Sequence, residues 1–392
     1  MTRPLVTTRT MRMQLRSCDC CGETELREVF VQNSPTRTRH AYYEWQHRIV
    51  LCPGCGFVFA SPVPCPQELI EYYNDSYSTF FGQEIEYSVD KRLALLTNYV
   101  SGNGVQQVFV EVGSNSALEF HLRLKTLFKQ VLNVEPNQSC DSTHRDLESF
   151  PSCSVDVAAA YFVLEHVPAP VAFLSQCARI LRPNGLLIIE VPDLELYPKF
   201  PTSFILNEHL NHFSPRTLAQ VAQLAGFEVL EINRDACSRS YGFAAVLQLR
   251  GDIGTTYKRD VSEFRQAEKL LRDTLRVVDI YETDVVSVRQ RISETMNGGG
   301  KVAVWGANAV ALHLLKVPSP AVVMVDSNPE KHGFFPWVDV RLPHEAADQL
   351  CECALFIVCT RRHAQVIIRI LEGLIGRKVD EQVVILDLPE TT

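Results

Sequence analysis

Between Gln106 and Leu249 the chain alternates short apolar runs with amphipathic segments, and this alternation constrains its fold more than any other feature. The runs are "QVFVEV", "VLNVE", "VDVAAAYF", "GLLIIEV", "FEVLEI" and "AAVLQL". Strands this apolar, separated by segments of helical spacing, imply a mainly parallel sheet covered by helices on both faces. A charged helical stretch from about Lys258 to Met296 then ends at "NGGG". After it the pattern returns, shorter, in "KVAVWGA", "AVVMVDS", "ALFIVCT" and "QVVILDL". The expected fold class is α/β.

At 392 residues the chain is too long for one ordinary core. Three parts are expected: a Cys- and Pro-marked module over 1–65, helices and the central α/β domain over 66–255, and a helical linker with a second α/β domain over 256–392. A formal net charge of −8 argues against a nucleic-acid partner, because such binders carry basic stripes. No apolar run approaches the ~20 residues that span a bilayer, so no membrane association is expected. The first residues show no continuous apolar core of a secretory signal. Thirteen cysteines, an odd number, suggest reduced thiols and a cytoplasmic setting.

"CDCCG" and "CPGCG" place Cys18, Cys21, Cys52 and Cys55 in two C-x2-C-G knuckles. Each pair can present two thiolates to one ion, and four thiolates complete a tetrahedral zinc shell with no position left for water. The expected ion is Zn2+ in a structural role. Cys20 is a spare thiol inside the first knuckle.

"VFVEVGSNSALEF" reads as a strand, a tight turn and a helix start. Glu111 ends the strand in this reading, Gly113 admits a close backbone approach, and a helix N-terminus with unpaired N–H groups follows. Ser114 and Asn115 continue the turn. One helix later "VLNVEPNQ" ends a strand in Glu135 and Pro136, where a carboxylate can accept the hydroxyls of a ribose. The G-x-G-x-x-G spacing of dinucleotide binders is missing, and no phosphate loop is present. A ligand with a ribose but no pyrophosphate fits better.

"ILNEHLNHFSP" sets Glu208, His209 and His212 just before Ser214-Pro215, a strong helix start. The two histidines then do not share a helical face, as a zinc-binding pair on a helix would require. A local structural turn and a proton-transfer group stay open as readings.

In order, E-x-G-S-N, V-E-P, D-V, L-E-H-V-P, L-R-P-N-G and E-V-P resemble class I S-adenosylmethionine-dependent methyltransferases. With the four-cysteine module in front and "VWGANAVALHLLK" and "VDSNPEKHGFFP" behind, nearly the whole chain resembles the sugar C-methyltransferase family. That resemblance implies a class I, Rossmann-like methyltransferase sheet, a small zinc module and a second Rossmann-like domain at the C-terminus. It implies S-adenosyl-L-methionine as cofactor, with Asp146, Leu147, Tyr161 and Phe162 joining the cofactor site, and a nucleotide sugar as small-molecule substrate. The family's active-site positions fall on His209, Glu208, His166 and Tyr77. Removing a proton next to a ketone needs a base within reach, which would be His209, with Glu208 orienting its ring.

The sequence departs from the family at three places. Leu206 stands where a tyrosine is usual, "CSRSYGF" replaces an H-G-G-type segment, and the cofactor loop reads N-S-A instead of N-D-G. Methylation of an oxygen or nitrogen of another metabolite, and a non-catalytic zinc- and nucleotide-binding scaffold, are the alternatives. Gly306, Asp326 and Asn328 in the last domain would suit either a second nucleotide-like ligand or a structural cap.

Overall fold

The computed structural model describes residues 7–37, 41–81, 88–100, 106–113, 118–137, 142–251, 261–315, 321–331 and 339–387. They form two compact units, Thr8–Thr274 and Leu275–Thr392 with Met1–Thr7.

All six apolar runs become strands of one sheet in the first unit. Its order is Phe227–Asn233, Gly242–Leu249, Leu181–Pro192, Val155–Tyr161, Gln106–Val112, Phe128–Val134. The last four are parallel, and Gly242–Leu249 runs antiparallel to both neighbours. Period-2 alternation sends Val110, Val112, Ala158, Ala160, Leu187 and Ile189 to one face, among Leu174, Cys177, Leu218 and Val221. Phe109, Val157, Ala159 and Ile188 go to the other, among Leu93, Leu96, Phe120 and Leu124. Both faces are therefore covered, as continuous apolar strands require. Each Leu, Val or Phe fully buried this way contributes about 1.5–3 kcal/mol.

The chain leaves Gln106–Val112 toward one edge and returns on its other side at Val155–Tyr161. The carboxyl ends of these two neighbours flank the switch point where open α/β sheets bind ligands. Gly113 caps one end and Phe162 the other.

Helix Pro215–Leu224 begins as its sequence requires. The Ser214 side chain accepts from Thr217 N, Thr217 bonds back to Ser214 N, and Pro215 opens the first turn. Such a cap stabilises a helix by about 1 kcal/mol.

A second sheet in this unit contains Arg27–Arg37, Ala41–Leu51, Val58–Ala60 and Asn211–His212. The short strand right after His209 is thus stitched to the strand after the second cysteine knuckle, Asn211 opposite Phe59 and His212 opposite Val58. Arg16 clamps the junction, donating to Ala60 O (2.9 Å), Leu210 O (2.8 Å), Asn211 Oδ1 (2.7 Å) and Pro168 O.

The second unit has a five-stranded parallel sheet in the order Val340–Arg341, Val322–Val325, Lys301–Trp305, Cys353–Val358, Val383–Ile385. The 37-residue helix Val261–Asn297 starts in the first unit and ends in the second. Asp326 gives one oxygen to Ala307 N (2.7 Å) and the other to Asn328 N (2.9 Å). Its carboxylate ties together two loops of its own domain. No described helix is long and apolar enough to cross a membrane.

Candidate active site

At the switch point Gly113 has φ +70°, and a Cβ there would meet Val163 Cγ2 at 2.5 Å. Glycine is needed at this turn both for its conformation and because Val163 lies against it. Glu111 is buried and pairs with His121 Nε2 at 2.5 Å. Glu135 is half-buried at the next strand end, and burial raises its carboxyl above the usual range. Its Oε1 accepts from Asn137 N at 2.9 Å. Pro136 beside it is exposed. Asp146 is exposed and caps Ser149 N at 2.8 Å, whereas Leu147 is buried in the core.

Tyr161 is held under a cation: Arg92 Cζ lies 3.9 Å from its ring centroid. Arg92 is itself fixed by Glu190, which also accepts from Ser238 N (2.7 Å) and Ser238 Oγ (2.6 Å). Phe162 adopts φ +57°, which swings the chain away from the strand. Ser114 and Asn115 lie outside the described residues. Tyr77 falls on helix Pro66–Phe81, but its side chain lies outside them too.

Two of the expected side chains converge. His209 and His166 stand 4.9 Å apart, edge to face. The Nδ1 of His209 bonds Ser203 O at 2.7 Å, and that of His166 bonds Glu208 O at 3.0 Å. A carbonyl only accepts, so each Nδ1 carries the proton and each Nε2 is the basic nitrogen. Burial lowers both imidazoles, His209 to about 4 and His166 well below its ordinary value. The turn is fixed from behind by Leu210 N on Glu165 O (2.7 Å) and by Asn211 Nδ2 on Leu164 O and Val167 O.

The expected pairing of Glu208 with His209 is absent from the described contacts. Glu208 accepts instead from Tyr72 OH at 2.5 Å, and Ser203 O orients the His209 ring. Glu208 sits in the turn that His209 N closes on Leu206 O (3.0 Å), and its side chain leaves that turn toward Tyr72.

Sequence reading missed four groups here. Glu165 is buried, one oxygen has no partner, and burial raises its carboxyl to about 8. Tyr73 packs edge-on to His166, centroids 6.4 Å apart. Arg239 and Tyr241 lie beside Phe162. Glu165 stands inside L-E-H-V-P, and Arg239 and Tyr241 inside "CSRSYGF", so those segments held the residues but not their contacts. Glu165, His166 and His209 also bring donor atoms within 4.8 Å of one another, a donor set able to take a metal ion.

In the cysteine module, Cys18 and Cys55 sulfurs are 3.4 Å apart, as are those of Cys21 and Cys52, and all four lie within 4.8 Å. Four ligands at Zn–S distances of about 2.3 Å stand roughly 3.8 Å apart in a tetrahedron, so the cluster has the size for one ion. Each knuckle closes by the same bond, Gly22 N to Cys18 O (2.7 Å) and Gly56 N to Cys52 O (2.9 Å). Both glycines have positive φ, 76° and 74°.

The sequence profile of a methyltransferase-domain family matches residues 85–232. Residues 85–232 are thus similar to a methyltransferase domain. A probable S-adenosylmethionine-dependent methyltransferase of Mycolicibacterium smegmatis is 30% identical over 91 residues, 23% of this chain and 35% of the relative. The chain thus matches about a third of that curated relative's length. Among solved structures, methyltransferases of Archaeoglobus fulgidus (16% identity, TM-score 0.36) and Aquifex aeolicus (16%, 0.33) superpose on part of it. They cover 44% and 46% of this chain and 100% and 97% of their own. The methyltransferase domain so matched spans Gly113, Glu135 and the Glu165–His166–His209 cluster. The cysteine module and the last domain lie outside residues 85–232.

Proposed function

We propose that this protein methylates a carbon next to a ketone, in a keto-deoxysugar nucleotide, with His209 as general base. The observation that carries this reading is the bond from His209 to Ser203 O, which fixes the tautomer with Nε2 as the proton acceptor. Burial keeps that ring unprotonated at neutral pH, ready to act as a base.

The residues at the switch point suit the cofactor. Glu135 Oε2 would accept ribose hydroxyls, and the turn at Gly113 would carry the amino-acid end. When bound, S-adenosylmethionine supplies an electrophilic methyl group. His209 Nε2 takes the proton from the acceptor carbon, and the electron pair left behind delocalises onto the ketone oxygen. Glu165, protonated below about pH 8, would donate a hydrogen bond to that oxygen. Such a neutral carboxyl stabilises the developing charge without adding repulsion.

We also propose that Cys18, Cys21, Cys52 and Cys55 hold a structural zinc ion. It would anchor the strand on which Asn211–His212 is registered, and so the turn that carries His209.

The test is incubation in D2O with S-adenosylmethionine and keto-deoxysugar nucleotides. Deuterium entering the C–H next to the ketone, with a C-methyl product, is expected. Methyl transfer to oxygen or nitrogen without exchange would replace the carbon reading. Neither exchange nor transfer, in protein that binds S-adenosylhomocysteine, would refute it.

A further inference from the structure

We propose that Arg239 and the hydroxyl of Tyr241 form an anion-binding subsite that holds a carboxylate or phosphate group of the methyl acceptor. This rests on the methyltransferase reading and adds to it a charge that the acceptor must carry near its reacting carbon.

Arg239 lies in "CSRSYGF", between strands Phe227–Asn233 and Gly242–Leu249, and is half-buried. Its Nη1 donates to Tyr241 OH at 2.8 Å, and its Cζ sits 4.2 Å from the Phe162 ring centroid. Its Nε is buried without a partner. The neighbouring arginines differ. Arg92 is paired with Glu190, and Arg234 with Asp193 and Glu195. Among the described residues no carboxylate is within ion-pairing distance of Arg239.

A half-buried guanidinium whose Nε has no partner can still gain from pairing with an anion. Stacking on Phe162 fixes the plane of the fork, and Tyr241 occupies one N–H. The remaining N–H groups, Nε included, can meet two oxygens of a carboxylate or phosphate side by side. Tyr241, accepting from Arg239, still has its own hydroxyl proton to donate.

The location selects the acceptor. Phe162 directly follows the switch-point strand, and the Arg239 charge acts on Glu165, His166 and His209. The subsite is therefore beside the proposed base. The amino-acid carboxylate of S-adenosylmethionine has the same chemistry, so the test must tell the two sources apart.

Calorimetry would measure S-adenosylhomocysteine with wild type, Arg239→Gln and Arg239→Lys. With S-adenosylhomocysteine saturating, it would then measure thymidine diphosphate, glucuronate and inorganic phosphate, with thymidine and glucose as neutral controls. The expected result is binding of at least one anionic probe, weakened about tenfold or more in Arg239→Gln and less in Arg239→Lys. S-adenosylhomocysteine affinity should stay within about twofold. Equal probe binding in wild type and Arg239→Gln, or no anionic probe bound at all, would overturn the subsite. Loss of S-adenosylhomocysteine affinity in Arg239→Gln would assign the cation to the cofactor instead. Failure of wild type to bind S-adenosylhomocysteine would bring down the methyltransferase reading itself, and this inference with it.

Discussion

His209 donates through Nδ1 to the main-chain oxygen of Ser203, six residues earlier, at 2.7 Å. A side chain is thereby aimed by backbone, and no acidic partner is needed. Replacing His209 with Ala should lower turnover by about 100-fold or more and leave affinity for S-adenosylhomocysteine nearly unchanged. Turnover at the wild-type level would end the general-base role.

The pH profile should have two limbs. His209, lowered to about 4 by burial, loses its proton as pH rises through that value, so kcat/KM should climb there and then level off. Glu165, raised to about 8 by burial, loses its proton as pH rises further, which puts a negative charge where one must develop. Activity should fall through that range. In Glu165→Gln the alkaline fall should vanish while the acid limb stays. An alkaline limb unchanged in that variant would remove Glu165 from the chemistry.

One equivalent of zinc per chain is expected by elemental analysis, absent from Cys52→Ser and present in His209→Ala. Cys52→Ser should also melt at a lower temperature, because metal binding contributes directly to the folding free energy of such modules. A second equivalent that disappears in His209→Ala would make Glu165, His166 and His209 a metal centre and exclude His209 as a free base.

Arg92 and Glu190 form an ion pair whose side chains are 3% and 1% exposed. Arg92→Ala strands a buried carboxylate and should destabilise the protein by about 3–5 kcal/mol. Arg92→Leu combined with Glu190→Leu should recover much of that loss, as read by urea denaturation. The single variant should also bind S-adenosylhomocysteine more weakly, since Arg92 supports the Tyr161 ring. Equal stability of wild type and Arg92→Ala would show that the pair is not closed in solution.

What was legible follows from the range of the interactions. The strands at Val110, Ala158 and Ile189, the cap at Ser214-Pro215 and the two cysteine knuckles are written locally, in period, turn chemistry and spacing. Fold class and most candidate positions could be read from them. The partners of those positions could not. Glu208 was assigned to its neighbour His209, yet its carboxylate meets Tyr72, 136 residues away in sequence.

The sequence by itself determined which segments become strands and helices, where glycine and proline must interrupt them, and which thiols can share an ion. Only the tertiary structure decided which atom faces which. It set His209 on Ser203 O, turned Glu208 toward Tyr72, joined the cysteine module to the histidine turn, and put Arg239 on Tyr241 OH. The physical reason is that hydrophobic periodicity acts within a few residues along the chain. Hydrogen bonds and charges are settled instead between segments that meet only once the core has closed around them.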